Sequence, residues 1–388
     1  MGRPRRPRRR ARRGAVGVQS VARPAAAGAR AGGRRGEDAV MSAVRSAPER
    51  VDDVLDAFLA ERVERAASLG APYARLWRRL ADASRGGKRL RPRLVLAAHD
   101  GLGGTDDSSA RTAAAAIELL HTALLLHDDV LDGDLVRRGR PNLAGAFATE
   151  AIESGLGSDA ATSWGAASGV LAGDLLLSAV HALVSRIESP ARAAVHEIVD
   201  ESLFLTAAGE HADVGFSLGA VPADTAGIVR MMEQKTASYS FAAPLRVGAV
   251  LAGAGPLVDA ALQRIGTQLG FVYQLRDDVL GVFGTEERTG KTALGDLREG
   301  KRTLLVAFAE PHAAWREVAH LFGRRSLEED DAALLRDAIR ASGAADEIER
   351  LIAEQSAATR REIAAAPIPD GLRAELDALV GRCAERDA

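Results

Sequence analysis

The chain has one cysteine, Cys383, among 388 residues, which excludes an internal disulfide and fits a reducing compartment. Aromatic residues are scarce at 4%, and sustained alternating β-branched runs are missing. Alanine and leucine recur instead at helical spacing, so the expected fold class is all-α. No uninterrupted apolar stretch reaches membrane-spanning length, because Asp174 and Arg246 break the two best candidates. A cytoplasmic protein with no transmembrane segment is therefore expected. No nucleophile–base triad is recognisable, so covalent catalysis is not expected. Hydrophobic residues make up 47% and charged residues 27%, enough for a sizeable core.

Lysine is also rare. Only Lys88, Lys235, Lys291 and Lys301 occur among 51 basic residues. Where arginine serves almost everywhere, a retained lysine suggests that a compact ammonium is wanted. Codon bias would scatter the four over surface helices, yet Lys88, Lys291 and Lys301 each follow a glycine, where backbone approaches a phosphate closely.

The net charge of −2 conceals an imbalance. Residues 1–40 hold twelve arginines against Glu37 and Asp38. Rich in Arg, Pro, Ala and Gly without helical period, 1–44 is expected to be a disordered extension. It reads as an anion-binding arm, or as sequence upstream of a true start at Met41. Residues 45–388 show neither repeat nor linker and form one expected helical domain. Helices are expected over 45–66, 73–83, 88–98, from Arg111 into the first acidic cluster, and over 166–187, 191–208, 225–252 and 258–280. Pro244 should kink or break the helix over 225–252. Residues 147–163 read as a mobile connection, 281–301 as a loop, and 327–386 as three short amphipathic helices.

Two aspartate pairs stand out because apolar runs precede them. One sits in His127-Asp128-Asp129-Val130-Leu131-Asp132-Gly133-Asp134, followed by Arg137-Arg138-Gly139-Arg140-Pro141. The other is Arg276-Asp277-Asp278-Val279-Leu280-Gly281. Carboxylates gathered at a core edge lose hydration and repel one another, so a cation must compensate, and hard oxygen ligands suit magnesium. The pairs at 52, 106 and 330 lie at helix beginnings or in polar loops and are explained by capping. Asp128 and Asp132 share a helix face. His121 lies two turns before Asp128, about 10 Å along the axis, where a second anion would fit, although a core histidine is the plainer reading. Lys88 as a point charge and Arg91 as a bidentate clamp would complete such a site. Gln274, one turn before Asp277, is a candidate phosphate donor or an ordinary surface glutamine.

Taken together these residues resemble the trans-isoprenyl diphosphate synthases, or polyprenyl synthetases, over roughly 45–388. Gly86-Gly87-Lys88-Arg89-Leu90-Arg91-Pro92 is similar to that family's GGKRxRP segment, Asp128–Asp132 to its first aspartate-rich motif, and Arg137–Pro141 to its RRGxP. Lys235-Thr236-Ala237 resembles its KTA motif, Gln274–Gly281 its second acidic region, and Gly290-Lys291 with Asp296–Lys301 its GK…DLxxGK loop. The resemblance implies a helical bundle around a deep apolar cavity, usually a homodimer. It implies three magnesium ions held by Asp128, Asp132 and Asp277, with Asp129 and Asp278 in support. It further implies an allylic diphosphate touched by Arg137, Lys235, Thr236, Lys291 and Lys301, with Gln274 also polar toward it. Isopentenyl diphosphate would be held by Lys88, Arg91, His121 and Arg138. No nucleic-acid partner is implied for the domain. Two departures stand out: Gly281 replaces a third aspartate, and Glu210-His211-Ala212-Asp213 stands where many members have Gly-Gln-x-x-Asp.

Chain length is expected to depend on Leu124, Ala123, Leu120 and Ile117, one to three turns before Asp128. With no aromatic plug among them, geranylgeranyl diphosphate is the expected product, ahead of farnesyl or longer chains. The rivals are a terpene cyclase, a non-catalytic synthase subunit, and an anion-binding protein acting through the arginine tail.

Overall fold

The computed structural model describes residues 34–137, 139–284 and 294–385, with side chains from residue 51 onward. Helix α1 (Arg34–Ala67) carries Val51, Leu55, Phe58 and Leu59 on its buried face. It begins at Arg34, so 34–44 are helical where disorder was expected. That stretch holds no proline, and lengthening an existing helix avoids the cost of nucleating one. Residues 1–33 lie outside the described residues. Helix α2 (Ala71–Ala83) opens with Pro72 in its first turn, and α3 (Leu90–Gly101) follows the Gly86-Gly87 turn. Helix α4 (Asp107–Leu131) is capped by the Asp106 carboxylate, which accepts from the Ser109 amide at 3.0 Å. A two-residue hairpin, Val136–Arg137 with Arg140–Pro141, is the sheet structure among the described residues.

Residues 147–163 are not a mobile connection. Helix α5 (Leu143–Glu153) and the start of α6 (Ser158–Ser185) occupy them. The small residues that suggested a loop are there to let helices touch. A Cβ on Gly165 would overlap the Ala144 carbonyl, and one on Gly169 would run into Val130 of α4. Helix α6 is long and apolar enough to cross a membrane by length and composition, with Asp174 inside it. Asp174 is the interruption noted in the sequence, so the apolar stretch is not continuous. Half of its apolar window is buried in the fold, packed on α4 and α5.

Helix α7 (Arg192–Ser217) precedes α8 (Thr225–Met232). The helix expected over 225–252 does not stop at Pro244. It widens into a π-helix over Glu233–Ala242 and returns to α geometry as α9 (Ala243–Leu251), with proline in its first turn. A proline has no amide hydrogen to give, and placing it where the hydrogen-bond register changes loses least. Helix α10 (Pro256–Phe283) outlasts its expected end and packs on the π segment. A short turn, Gly295–Glu299, interrupts the expected loop. Beyond Thr303, which caps Leu304–Ala309, the tail forms the three expected helices: Glu329–Ala341, Ala344–Ala365 and Asp370–Ala384. One apolar cluster joins α10 to this tail, and another joins α1–α6 to α9. Helices α4 and α10 each carry an acidic pair near their C-terminal ends.

Candidate active site

On α4, His121, Leu124 and Asp128 are half-buried and share one face, as a spacing of three to four residues requires. Asp129 is buried and accepts from Arg137 Nε at 2.7 Å, while Asp128 accepts from Arg137 Nη2 at 3.1 Å. The hairpin therefore folds Arg137 back over the pair. Burial pushes the Asp129 carboxyl upward against the pull of Arg137. Asp132 is also pushed up by burial, opposed by Lys301 and reinforced by Asp128. Such acids are poorly neutralised by protein alone.

The π segment brings the second layer. Lys235 Nζ lies 2.6 Å from Asp213 Oδ2, 3.0 Å from Glu210 Oε2 and 3.3 Å from Asp128 Oδ1. Burial alone would lower this ammonium's pKa, but Asp213, Asp128 and Glu210 more than reverse that and hold it protonated. Burial raises Glu210. The Thr236 hydroxyl donates to Gln274 Oε1 at 2.7 Å, and the Gln274 amide donates to Asp278 Oδ1 at 2.7 Å. Gln274 is thus a connector between the π segment and α10, not a surface residue. Asp278 is buried and pushed well up by desolvation, with Asp296 and Asp277 adding repulsion. Asp277 beside it is exposed.

Lys301 joins the end of α4 to the loop beyond α10. Its Nζ lies 3.4 Å from Asp132 Oδ2 on α4, 3.0 Å from Glu299 Oε2 and 4.0 Å from Asp296 Oδ1. Burial opposes its charge, and Asp296, Asp132 and Glu299 restore it. Burial raises Glu299 to about 7.

A separate polar group stands beside α3. Gly86 and Gly87 take left-handed backbone angles, and Arg89 does so too at φ 50°. That costly conformation is held by the buried Arg89 guanidinium, which reaches Glu118 at 2.7 Å, Asp52 at 2.6 Å and the Ser84 carbonyl at 3.0 Å. The turn leaves Lys88 exposed and sends Arg91 inward to Ser240 Oγ at 2.8 Å and the Tyr239 hydroxyl at 3.2 Å. His121 Nδ1 is 3.3 Å from the same hydroxyl. Arg91 and His121, separate in sequence, meet on Tyr239.

Arg138 and Lys291 lie outside the described residues. Of the chain-length candidates, Leu124 faces the half-open side with His121 and Asp128, whereas Leu120, Ala123 and Ile117 are wholly enclosed. A spacing of five residues turns Ala123 away from the Asp128 face. Reasoning from sequence missed Glu210 and Asp213 as partners of Lys235, and also Tyr239, Asp296 and Glu299. The Glu-x-x-Asp spacing on α7 was a usable signal for the first two.

The donor set fits magnesium. Oxygens of Asp132, Asp134 and Glu299 come within 4.8 Å of one another, and hard carboxylate oxygens without sulfur or imidazole suit that ion. Asp134 and Glu299 were not among the expected ligands. The burial that raises Asp132 and Glu299 is the cost that a bound cation would offset.

A family model described as polyprenyl synthetase matches residues 77–339. The chain is 35% identical to the geranylfarnesyl diphosphate synthase of Aeropyrum pernix, over 63% of this chain and 73% of that one. It is also 35% identical to the (2E,6E)-farnesyl diphosphate synthase of Mycobacterium tuberculosis, over 66% of this chain and 68% of that one. Among solved structures, a geranylgeranyl pyrophosphate synthase from Corynebacterium glutamicum, complexed with isoprenyl diphosphate and magnesium, superposes with a TM-score of 0.82. That pair is 32% identical over 88% of this chain and 99% of the other.

Proposed function

The chain belongs to the polyprenyl synthetase family and is a prenyltransferase, and from that premise we propose that it joins isopentenyl diphosphate to an allylic diphosphate, head to tail and trans, yielding geranylgeranyl diphosphate. The observation that carries this reading is Lys301 standing between Asp132 of α4 and Glu299 and Asp296 of the loop beyond α10, with Lys235 held on Asp128.

Asp128, Asp132 and Asp277 would hold magnesium, three ions in all, with Asp129, which shares Arg137 with Asp128, and Asp278 in support. When bound, the metal neutralises charge that grows on the departing diphosphate. Lys235 and Lys301 are kept protonated by their acidic neighbours, so they are ready to donate to the same oxygens. Arg137, Thr236 and Gln274 orient the group, and Lys291 adds a further positive charge. Arg91 and His121, joined through Tyr239, hold the isopentenyl diphosphate with Lys88 and Arg138. The attacking double bond and the allylic carbon are thereby kept in one water-poor place. The departing diphosphate takes the proton released after the new carbon–carbon bond forms, so no covalent nucleophile is required.

Leu124, moderate in size on the open face of α4, supports a C20 product over a shorter one. The active form is a cytoplasmic homodimer, and the dimer is supported by Trp164 and Leu171, which seven residues apart share an exposed side of α6. The test is incubation of purified protein with magnesium, isopentenyl diphosphate and each starter from C5 to C15, followed by sizing of the dephosphorylated alcohols. Elongation that needs isopentenyl diphosphate and stops mainly at C20 is expected. Conversion of an allylic diphosphate without isopentenyl diphosphate would show a cyclase instead.

A further inference from the structure

Among the described residues, Arg89 is the one non-glycine residue with a left-handed backbone, at φ 50°. An L side chain disfavours that conformation, so neighbouring contacts must hold it. The Arg89 guanidinium is buried, and its Nη1 donates to Oε1 of Glu118 on α4, also buried, at 2.7 Å. Its Nη2 lies 2.6 Å from Asp52 Oδ1 on α1 and 3.0 Å from the Ser84 carbonyl just beyond α2. The sequence position of Asp52 suggested helix capping, yet this residue stands well inside α1 and meets Arg89. One side chain thus ties α1, the end of α2 and α4 to the turn that opens α3. We propose that the buried Arg89–Glu118 ion pair positions the isopentenyl diphosphate site, holding the turn that carries Lys88 and Arg91 in register with the helix that carries His121. This rests on the prenyltransferase reading above and adds positioning residues to it, not further ligands.

Lys88 precedes Arg89 and Arg91 follows two residues later, so the backbone angle at Arg89 sets the direction of one relative to the other. Arg91 reaches Ser240 Oγ at 2.8 Å and the Tyr239 hydroxyl at 3.2 Å, and His121 Nδ1 lies 3.3 Å from the same hydroxyl. Glu118 is three residues before His121 on α4, one turn away, so the carboxylate that holds Arg89 is rigidly linked to that imidazole. Gly86 and Gly87 also take left-handed angles, and glycine gives the turn little preference of its own for one shape. The ion pair supplies the constraint that the glycines lack. A buried pair of this kind often adds little net stability over an apolar replacement, and fixing register is its best-attested use. Register matters here because a misplacement of about 1 Å can cost about a hundredfold in rate.

The test uses full-length protein and measures KM for isopentenyl diphosphate, KM for the allylic diphosphate and kcat, with a thermal melt of each variant. Glu118→Gln keeps the volume and removes the charge. It should raise KM for isopentenyl diphosphate about tenfold, with the allylic KM and kcat within about threefold of wild type. Arg89→Ala and Arg89→Gly then separate backbone from side chain. Both lose the guanidinium, but glycine adopts the left-handed angle without penalty, so Arg89→Gly should have an isopentenyl diphosphate KM about threefold lower than that of Arg89→Ala. A merely structural role predicts lowered melting temperatures, both KM values unmoved and glycine no better than alanine, and that pattern overturns the proposal. If the variants at the buried pair do not fold, Asp52→Asn decides from α1, where the carboxylate is half-exposed. It should raise the same KM about threefold, and an unmoved KM overturns the proposal. Wild-type protein that converts an allylic diphosphate without isopentenyl diphosphate overturns the functional reading itself. Wild type that saturates with isopentenyl diphosphate, beside an unaltered Glu118→Gln, overturns this proposal alone.

Discussion

Lys235 concentrates the electrostatic argument at the scale of a residue. Three carboxylates surround one mostly buried ammonium, and removing it leaves them facing each other without compensation. Lys235→Ala should lower kcat/KM for the allylic diphosphate by about 10²–10³-fold, the usual effect of deleting one preorganised donor. Its melting temperature should fall in metal-free buffer and recover in part with magnesium; steady-state kinetics and calorimetry check both. Glu299 provides the pH signature. Its folded-state pKa is raised to about 7, so between the ordinary carboxylate range and pH 7 the folded protein holds a proton that the unfolded chain has released. Stability of the metal-free protein should therefore fall as pH rises from about 5 to about 7, since the folded state binds the extra proton. Burial shifts Asp129, Asp132, Glu210 and Asp278 in the same direction, so each contributes a decline of the same sign above its ordinary range. The raised lysines contribute nothing in this window, being charged in both states. Melts of wild type and Glu299→Gln across this range should show a shallower decline for the variant.

At the scale of an element, α4 does two jobs on different faces. The face with His121, Leu124 and Asp128 meets open space, and the faces with Leu120 and Ala123 are sealed in the core. Leu124→Phe should shorten the product from C20 toward C15 at little cost in stability. Ala123→Phe should instead overpack the core, costing about 1–3 kcal/mol, and so register in a melt before it registers in product length. Unchanged products from Leu124→Phe would remove α4 as the depth gauge. The acidic pairs were legible because charge at the end of a long apolar helix is costly and has few explanations. The π segment was not, since a one-residue change of hydrogen-bond register leaves no mark in apolar periodicity. Residues 147–163 misled for a related reason: glycine and serine mark loops by composition, yet Gly165 and Gly169 are required by helix contact.

Across the whole molecule, sequence motifs located both acidic helix ends but could not say which side chains complete them. Asp213 and Glu210 reach Lys235 because α7 and the π segment pack against neighbours far away in sequence. Tyr239 joins Arg91 to His121 for the same reason. Pairings of that kind depend on tertiary placement, which local pattern does not encode. The exposed apolar face of α6 also belongs to this scale. Trp164→Glu combined with Leu171→Glu should convert a dimer to a monomer in size-exclusion chromatography with light scattering, and a dimer that survives both changes would place the subunit contact elsewhere. The account as a whole requires the ends of α4 and α10 to act on one metal-bound diphosphate. Crystals grown with pyrophosphate and manganese in place of magnesium test this directly. Anomalous peaks shared between the carboxylates of Asp128 and Asp132 and that of Asp277, with pyrophosphate between them, are the expected result. Peaks confined to one helix end, or none with pyrophosphate bound elsewhere, would contradict it.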